Sequence, residues 1–405
     1  MQTLTKKIPQ QSAPLIRNRV SSIDFLRGLV MVIMALDHVR DFFHNQAVTG
    51  SPTDMATTTP FLFFTRWITH FCAPTFVFLS GASAFLAGRR KSKKQLSLFL
   101  IKRGVWLVFV EFFIISLALS FDPLYHLFFL QVIWAIGVSM IILGLLVWLP
   151  LEIILLLGLI IVFGHNILDK PEALRQGHVG VFWDILHRSN FSPYTITPGH
   201  TLIFVYAIGP WAGVMMLGYC FGRLFTADVS ASSRQKALWI IGGSAVLFFV
   251  IMRYLNVYGE PSPWQVQRNS TITILSFLNT TKYPPSLMYL TMTLGPSIIF
   301  LALAEKARNR ISHIFITYGR VPFFYYVIHF FIIHIICVAA FFLSGYGTSD
   351  IVSQQSPFLF RPAQFGFNLG IVYVIWLLVV IALYPLCRWY NRYKATHDNW
   401  WLSYL

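Results

Sequence analysis

The stretch Asp24-Phe-Leu-Arg27-Gly-Leu-Val-Met-Val-Ile-Met-Ala-Leu-Asp37-His38-Val-Arg40-Asp41-Phe-Phe-His44 places ionisable groups at both ends of an apolar run long enough to cross a bilayer. At about 100° per residue the steps from Arg27 to His38 return to within roughly 20° of the starting direction and rise roughly 16 Å. Arg27, Met31, Met34 and His38 therefore share one stripe, with Asp41 one turn beyond. A cation near one membrane face is aligned with a histidine and a carboxylate near the other, a set suited to acid–base work or proton relay. Asp37, Arg40 and His44 fall on a different side, where charges three and four apart also read as a snorkelling salt-bridge cluster.

A charged group at the centre of a lipid-facing helix costs on the order of 2.5 to 3.5 kcal/mol, so such groups turn inward and pair, or line a wet cavity. In the second apolar run, Arg66, His70 and Pro74 recur every four residues on one face, and the proline can open the backbone beside His70. A late run carries Tyr325-Tyr326-Val-Ile-His329-Phe-Phe-Ile-Ile-His334. Five steps turn the two histidines about 140° apart, so only one can face a given cavity. His329 is preferred, with Tyr325 and Tyr326 a turn earlier to orient its ring, and His334 is left to packing. Asn279-Thr-Thr-Lys282-Tyr-Pro-Pro-Ser286 puts a lone cation before a helix entrance, where it can steer a polar acceptor or anchor the interface. Glu111 has no obvious partner. On the other side, Gly88-Arg89-Arg90-Lys-Ser-Lys-Lys-Gln95 with Lys102 and Arg103 forms a dense basic patch that suits either the phosphates of a nucleotide carrier or anionic lipid.

The elements that must position these groups are membrane helices. Of 405 residues 56% are hydrophobic and only 11% charged, which is outside the range of soluble globular domains. Runs of spanning length lie at about 21–44, 61–87, 97–121, 127–148, 151–166, 200–223, 237–256, 285–304, 314–343 and 367–388. They predict an all-α polytopic bundle of about ten transmembrane helices with both termini cytoplasmic. Residues 1–20 and 391–405 read as cytoplasmic tails around a single bundle, 21–390, without internal repeats. The basic clusters fall in alternate connections, so the net charge of +16 reports topology rather than nucleic-acid binding. The hinge Trp148-Leu-Pro150 has no positive charge of its own to pin it. Cys72, Cys220, Cys337 and Cys387 all sit in apolar segments, which argues for packing and against a disulfide framework. No Gly-rich phosphate loop, serine elbow or His-Glu-x-x-His pair is present, which argues against an ATPase, a serine hydrolase or a zinc protease, and no metal is expected.

Val20-Ser-Ser-Ile-Asp24-Phe-Leu-Arg27-Gly28 and Ala73-Pro74-Thr-Phe-Val-Phe-Leu-Ser-Gly81 resemble the catalytic domain of heparan-α-glucosaminide N-acetyltransferase. Gly209-Pro210-Trp211-Ala-Gly213-Val-Met-Met-Leu-Gly218-Tyr219 and Gly319-Arg320-Val-Pro322-Phe-Phe-Tyr325-Tyr326 are similar to stretches of its bacterial membrane relatives. The spacing from Arg27 to His38 also resembles the arginine, ten residues, histidine signature of membrane acyltransferases. The resemblance implies transfer of an acetyl group from cytoplasmic acetyl-CoA to an extracytoplasmic acceptor, a sugar amine or hydroxyl, by histidine acid–base chemistry in a bacterial inner membrane. The heparan enzyme carries its histidine in a His-Ala-x-Trp-x-Gly-like stretch after the first helix, and residues 45–60 here contain no histidine. His38, His44 or His70 must then take that part.

The resulting expectation makes His38 the general base, with Asp41 or Asp37 fixing its tautomer and His70 stabilising developing charge. Direct transfer and an acetyl-histidine intermediate both remain open. Arg27, Arg66, Arg89, Arg90, Lys102 and Arg103 are the expected acetyl-CoA contacts, and Lys282, His329 and Tyr325 the acceptor side. Expected partners are membrane lipid, acyl-CoA and a glycan or small-molecule acceptor, with a homodimer left open. The competing class is a proton-coupled transporter or flippase using the same Arg, Asp and His groups.

Overall fold

The computed structural model describes residues 20–174, 180–188, 191–307 and 309–403. The N-terminal tail expected over residues 1–20 lies outside them except for Val20. Each of the ten apolar runs contains helix. Among the described residues, six helical stretches are long and apolar enough to cross a membrane: Pro60–Gly88, Leu151–Leu174, Ala231–Leu255, Leu287–Ala304, Pro322–Leu343 and Leu369–Thr396. Val132–Leu146 is apolar but shorter.

Ser21–Phe43, which carries the charged stripe, is the central helix. It packs against Pro60–Thr69, Cys72–Gly88, Leu287–Ala304, Arg310–Arg320, Pro322–Leu343 and Leu369–Thr396. Val30, Met31, Ala35, Val39, Phe42 and Phe43 are buried among them. Asp24, Asp37 and Arg40 are likewise surrounded by protein, as the cost of exposing charges to hydrocarbon requires. The outer helices Leu151–Leu174, Ala231–Leu255 and Leu369–Thr396 turn Ile160, Leu247 and Ile381 outward, giving the bundle an apolar rim.

Lipid tails are as apolar as leucine, so helices in a bilayer associate through close packing, which small residues allow. The sequence stretches most reminiscent of the acetyltransferase family supply such contacts. A methyl group on Gly28 would lie 1.7 Å from the Phe315 carbonyl oxygen, and one on Gly319 would lie 1.8 Å from that of Asp24. Ser21–Phe43 and Arg310–Arg320 therefore cross backbone to backbone at these two glycines. Gly81 and Gly218 make the equivalent crossing of Cys72–Gly88 with Ile208–Phe221, where added methyls would meet the carbonyls of Met215 and Phe78 at 2.1 and 2.0 Å.

The all-α expectation holds only for the bundle. Leu127–Leu130 pairs parallel with His200–Phe204, which pairs antiparallel with Pro193–Thr197, forming a three-stranded sheet. The beginnings of two runs expected to be helical, 127–148 and 200–223, are thus strands. Short apolar segments carry no periodicity that separates strand from helix. The run placed at 151–166 continues as helix to Leu174, and the one at 314–343 breaks at Val321. The Trp148 hinge is held by a cation from another connection, for Lys93 Nζ donates to the Trp148 carbonyl at 2.9 Å.

Candidate functional site

Asp37 joins the first two runs. One carboxylate oxygen pairs with Arg40, 3.1 Å away on its own helix, and the other accepts a hydrogen bond from Arg66 on Pro60–Thr69. Arg40 also reaches Asp41 at 2.6 Å. The snorkelling cluster expected at this helix end is therefore an ion-pair network between helices, with Asp37 and Arg40 both buried. His44 takes no part through its ring, and its carbonyl instead accepts from the buried Arg361 at 2.7 Å. No hydrogen bond joins Asp37 or Asp41 to His38, so neither carboxylate sets the tautomer of that ring in this arrangement.

Pro74 explains the setting of His70. A proline has no N–H to give the carbonyl four residues back, and the helix is interrupted at His70 and Phe71. The released His70 carbonyl accepts instead from the Tyr289 hydroxyl at 2.8 Å. The His70 ring sits edge-on to Tyr289, buried, with no hydrogen-bond partner for Nδ1. A buried orphan nitrogen is costly, and it marks a place where a donor or acceptor can be supplied from outside the chain.

Pro322–Leu343 contributes the third histidine. His329 Nδ1 faces the carbonyls of Tyr325 and Tyr326. Carbonyls only accept, so Nδ1 carries the proton and Nε2 keeps its lone pair. Nε2 has no partner, and neither do the buried hydroxyls of Tyr325 and Tyr326. The two tyrosines orient the ring as expected, but through their backbone carbonyls rather than their phenols. His38 lies beside it, with ring centroids 5.2 Å apart, and 4.3 Å from Phe330. His38 is only partly buried and makes no hydrogen bond among the described residues. His334, on the other side of the helix, is tied to the carbonyls of Ala118 and Leu359 and stacks on Phe121 at 3.7 Å, so it packs as the spacing predicts.

The turn before Leu287–Ala304 closes over this cluster. Lys282 Nζ lies 5.0 Å from the Tyr283 ring centre and 5.8 Å from that of Tyr206. Its charge falls within electrostatic range of Asp37, His38 and His70. Burial works to raise the Tyr283 phenol, but Lys282 and Arg66 overcome it and hold the group below the ordinary phenol range. The turn itself is fastened by Glu260, which accepts from Thr281 N and Oγ1 and from Ser286 Oγ, the last at 2.7 Å. Arg40 and Arg66 thus pair with Asp37, Arg40 also pairs with Asp41, and Lys282 and the buried Arg361 lie within electrostatic range of Asp37 and Asp41 respectively.

Of the residues expected to meet the donor, Arg66 is instead paired with Asp37 in the histidine cluster, and the others lie at the opposite end. Arg27 is engaged with Asp24 at 3.0 Å, the Gly319 carbonyl at 3.1 Å and Ser83 Oγ at 2.8 Å. It braces the glycine crossing and does not reach the histidine cluster. Arg89, Arg90 and Lys102 are exposed, Arg103 is partly buried, and Arg89 comes within 3.8 Å of Asp228. Glu111 is fully buried, and its Oε1 accepts from Gln131 N at 2.6 Å, capping the start of Val132–Leu146.

Tyr206, Tyr283, Tyr289 and Glu260 belong to the site without having been singled out from the sequence. Only Tyr283 carried a signal, as the neighbour of Lys282 in a Pro-rich turn at a helix entrance.

A family model for the catalytic part of heparan-alpha-glucosaminide N-acetyltransferase matches residues 19–254, more than half of the chain, and the chain belongs to that family. The matched segment contains Asp37, His38, Arg66, His70 and Tyr206, whereas Lys282 and His329 come from beyond it. No curated protein matches the chain significantly. Family and apolar helices together define an integral membrane protein of the acetyltransferase class.

Proposed function

We propose that this protein transfers an acetyl group from cytoplasmic acetyl-CoA to a hydroxyl or amine on the other side of a bacterial inner membrane, with both chain termini cytoplasmic. The observation that carries the reading is the convergence of three histidines with unengaged ring nitrogens, His38, His70 and His329, on the Asp37–Arg66–Arg40 network in one half of the bundle.

In this reading the exposed Arg89, Arg90 and Lys102, with Arg103, hold the phosphates of CoA while the pantetheine arm passes Arg27 toward the cluster. His38 takes the proton from the acceptor as its oxygen or nitrogen attacks the thioester carbonyl. The excess positive charge of Arg40, Arg66 and Lys282 stabilises the tetrahedral oxyanion. Collapse breaks the C–S bond, and the proton held on His38 neutralises the departing thiolate. His70 supports the developing charge. Asp37 and Asp41 keep the guanidinium groups in place, and Tyr325, His329 and Lys282 line the acceptor side.

The test is purified protein in nanodiscs given acetyl-CoA labelled in the acetyl group, with thioester hydrolysis, transfer to amino sugars and protein labelling followed together. Turnover that depends on His38 supports the reading. Absence of turnover together with absence of saturable CoA binding defeats it.

A further inference from the structure

A second cluster of titratable side chains lies outside the histidine site, at the end of Leu151–Leu174. The Glu172 carboxylate accepts from Trp183 Nε1 and from His187 Nδ1, the latter at 2.6 Å. A carboxylate only accepts, so His187 Nδ1 directs its proton at Glu172, and in the tautomer that keeps the lone pair on Nε2 this nitrogen accepts from His165 Nδ1 at 3.2 Å. The chain of bonds leaves one acceptor over, His165 Nε2, which is buried and has no partner. His165 is 7% exposed. A carboxylate thus orients two rings in series and, in that tautomer, leaves a hydrogen-bond acceptor at the end.

That histidine lines a pocket of about 440 Å³, within the size range of ligand sites. Its other walls include Ile160, Ile161, Ile167, Leu168 and Leu186, and among the described residues no Lys or Arg contributes to them. Ile160 and Ile167 are 59% and 67% exposed on the rim of the bundle, so the pocket opens toward the hydrocarbon. Gly164, on the same wall, has open space where a side chain would project.

We propose that this pocket binds a membrane lipid with a neutral hydroxyl headgroup, of the diacylglycerol type. Its alkyl chain fills the apolar walls, and its hydroxyl donates to His165 Nε2. The lack of a cation in the walls among the described residues and the carboxylate two bonds away select against a phosphate headgroup. The site is separate from the acetyl-transfer cluster and does not depend on that reading.

The experiment uses the full chain in nanodiscs and a photoreactive diacylglycerol whose diazirine sits in the acyl chain, compared with its O-methyl ether and with the corresponding phosphatidic acid. The free hydroxyl probe is expected to label the wall peptides at least about tenfold more efficiently than either analogue, the ratio set by one buried hydrogen bond. Gly164→Phe, which fills the pocket, removes this labelling. His165→Phe removes the preference for hydroxyl over ether while leaving alkyl labelling. Equal labelling by all three probes, or preference for phosphatidic acid, overturns the proposal, and the probe comparison on the unmodified protein stands even if a variant fails to fold.

Discussion

His38 and His329 face each other across the interface between Ser21–Phe43 and Pro322–Leu343, ring centres 5.2 Å apart. Their situations differ. The proton of His329 is fixed on Nδ1 by two backbone carbonyls, whereas His38 is free of hydrogen bonds and partly accessible. A ring that must take up and release a proton needs the second situation, and a ring that presents a fixed lone pair needs the first.

Replacing His38 by Ala is therefore expected to lower acetyl transfer by at least about 10²-fold, the usual contribution of a positioned base. His334→Ala, which removes a ring held between two backbone carbonyls and stacked on Phe121, should lower the melting temperature while retaining most specific activity. Assays normalised to folded protein check both, and equal activities of the two variants would reject His38 as the base.

Asp37 is the pivot of the ion pairs. Asp37→Leu leaves the guanidinium groups of Arg40 and Arg66 facing each other in a buried place, and removing one partner of such a network costs about 3 to 5 kcal/mol. The variant should melt markedly lower than Asp41→Leu, whose carboxylate is half exposed and bonded to Arg40 alone. Thermal unfolding in detergent measures the difference.

Much of the site was readable because it depends on local rules. Pro74 four residues after His70 announces a free carbonyl and a break, and both are present. The angle between His329 and His334 separates the ring beside His38 from the one packed against Phe121. Tyr206, Tyr289 and Glu260 were not readable, because their place is decided by which helices become neighbours. The sheet was missed since hydropathy alone registers Leu127–Leu130 and His200–Phe204 as the starts of helices. Arg27 shows the opposite limit: its stripe with His38 is real on the helix surface, but Asp24, Ser83 and Gly319 occupy its guanidinium.

The motif glycines make a separate test of packing against chemistry. Gly28→Ala puts a methyl against the Phe315 carbonyl, and because the obstacle is backbone the helices must separate. The variant should lose stability by several degrees of melting temperature. Gly243→Ala, with nothing within 4 Å of the added methyl, should not. Comparable melting curves for the two would contradict the crossing.

Glu260 carries the pH dependence that is easiest to read, since it lies in a connection outside the spanning helices. Burial is the largest influence and raises its carboxyl above the ordinary value, although the bonds from Thr281 and Ser286 oppose it. The folded state then binds this proton more readily than the unfolded chain does. Its contribution to stability is fully present below the unfolded carboxyl range, falls as pH rises toward the folded value, and is level beyond it. Glu260→Gln has no such proton, so its melting temperature should gain on the unmodified protein as pH climbs through that window. Glu260→Ala leaves Thr281 and Ser286 without an acceptor, loosens the turn that holds Lys282, and should lower both stability and affinity for the acceptor, measured as an increase in KM. A gap between Gln variant and unmodified protein that stays constant across the acid range would show that the carboxyl titrates alike in both states.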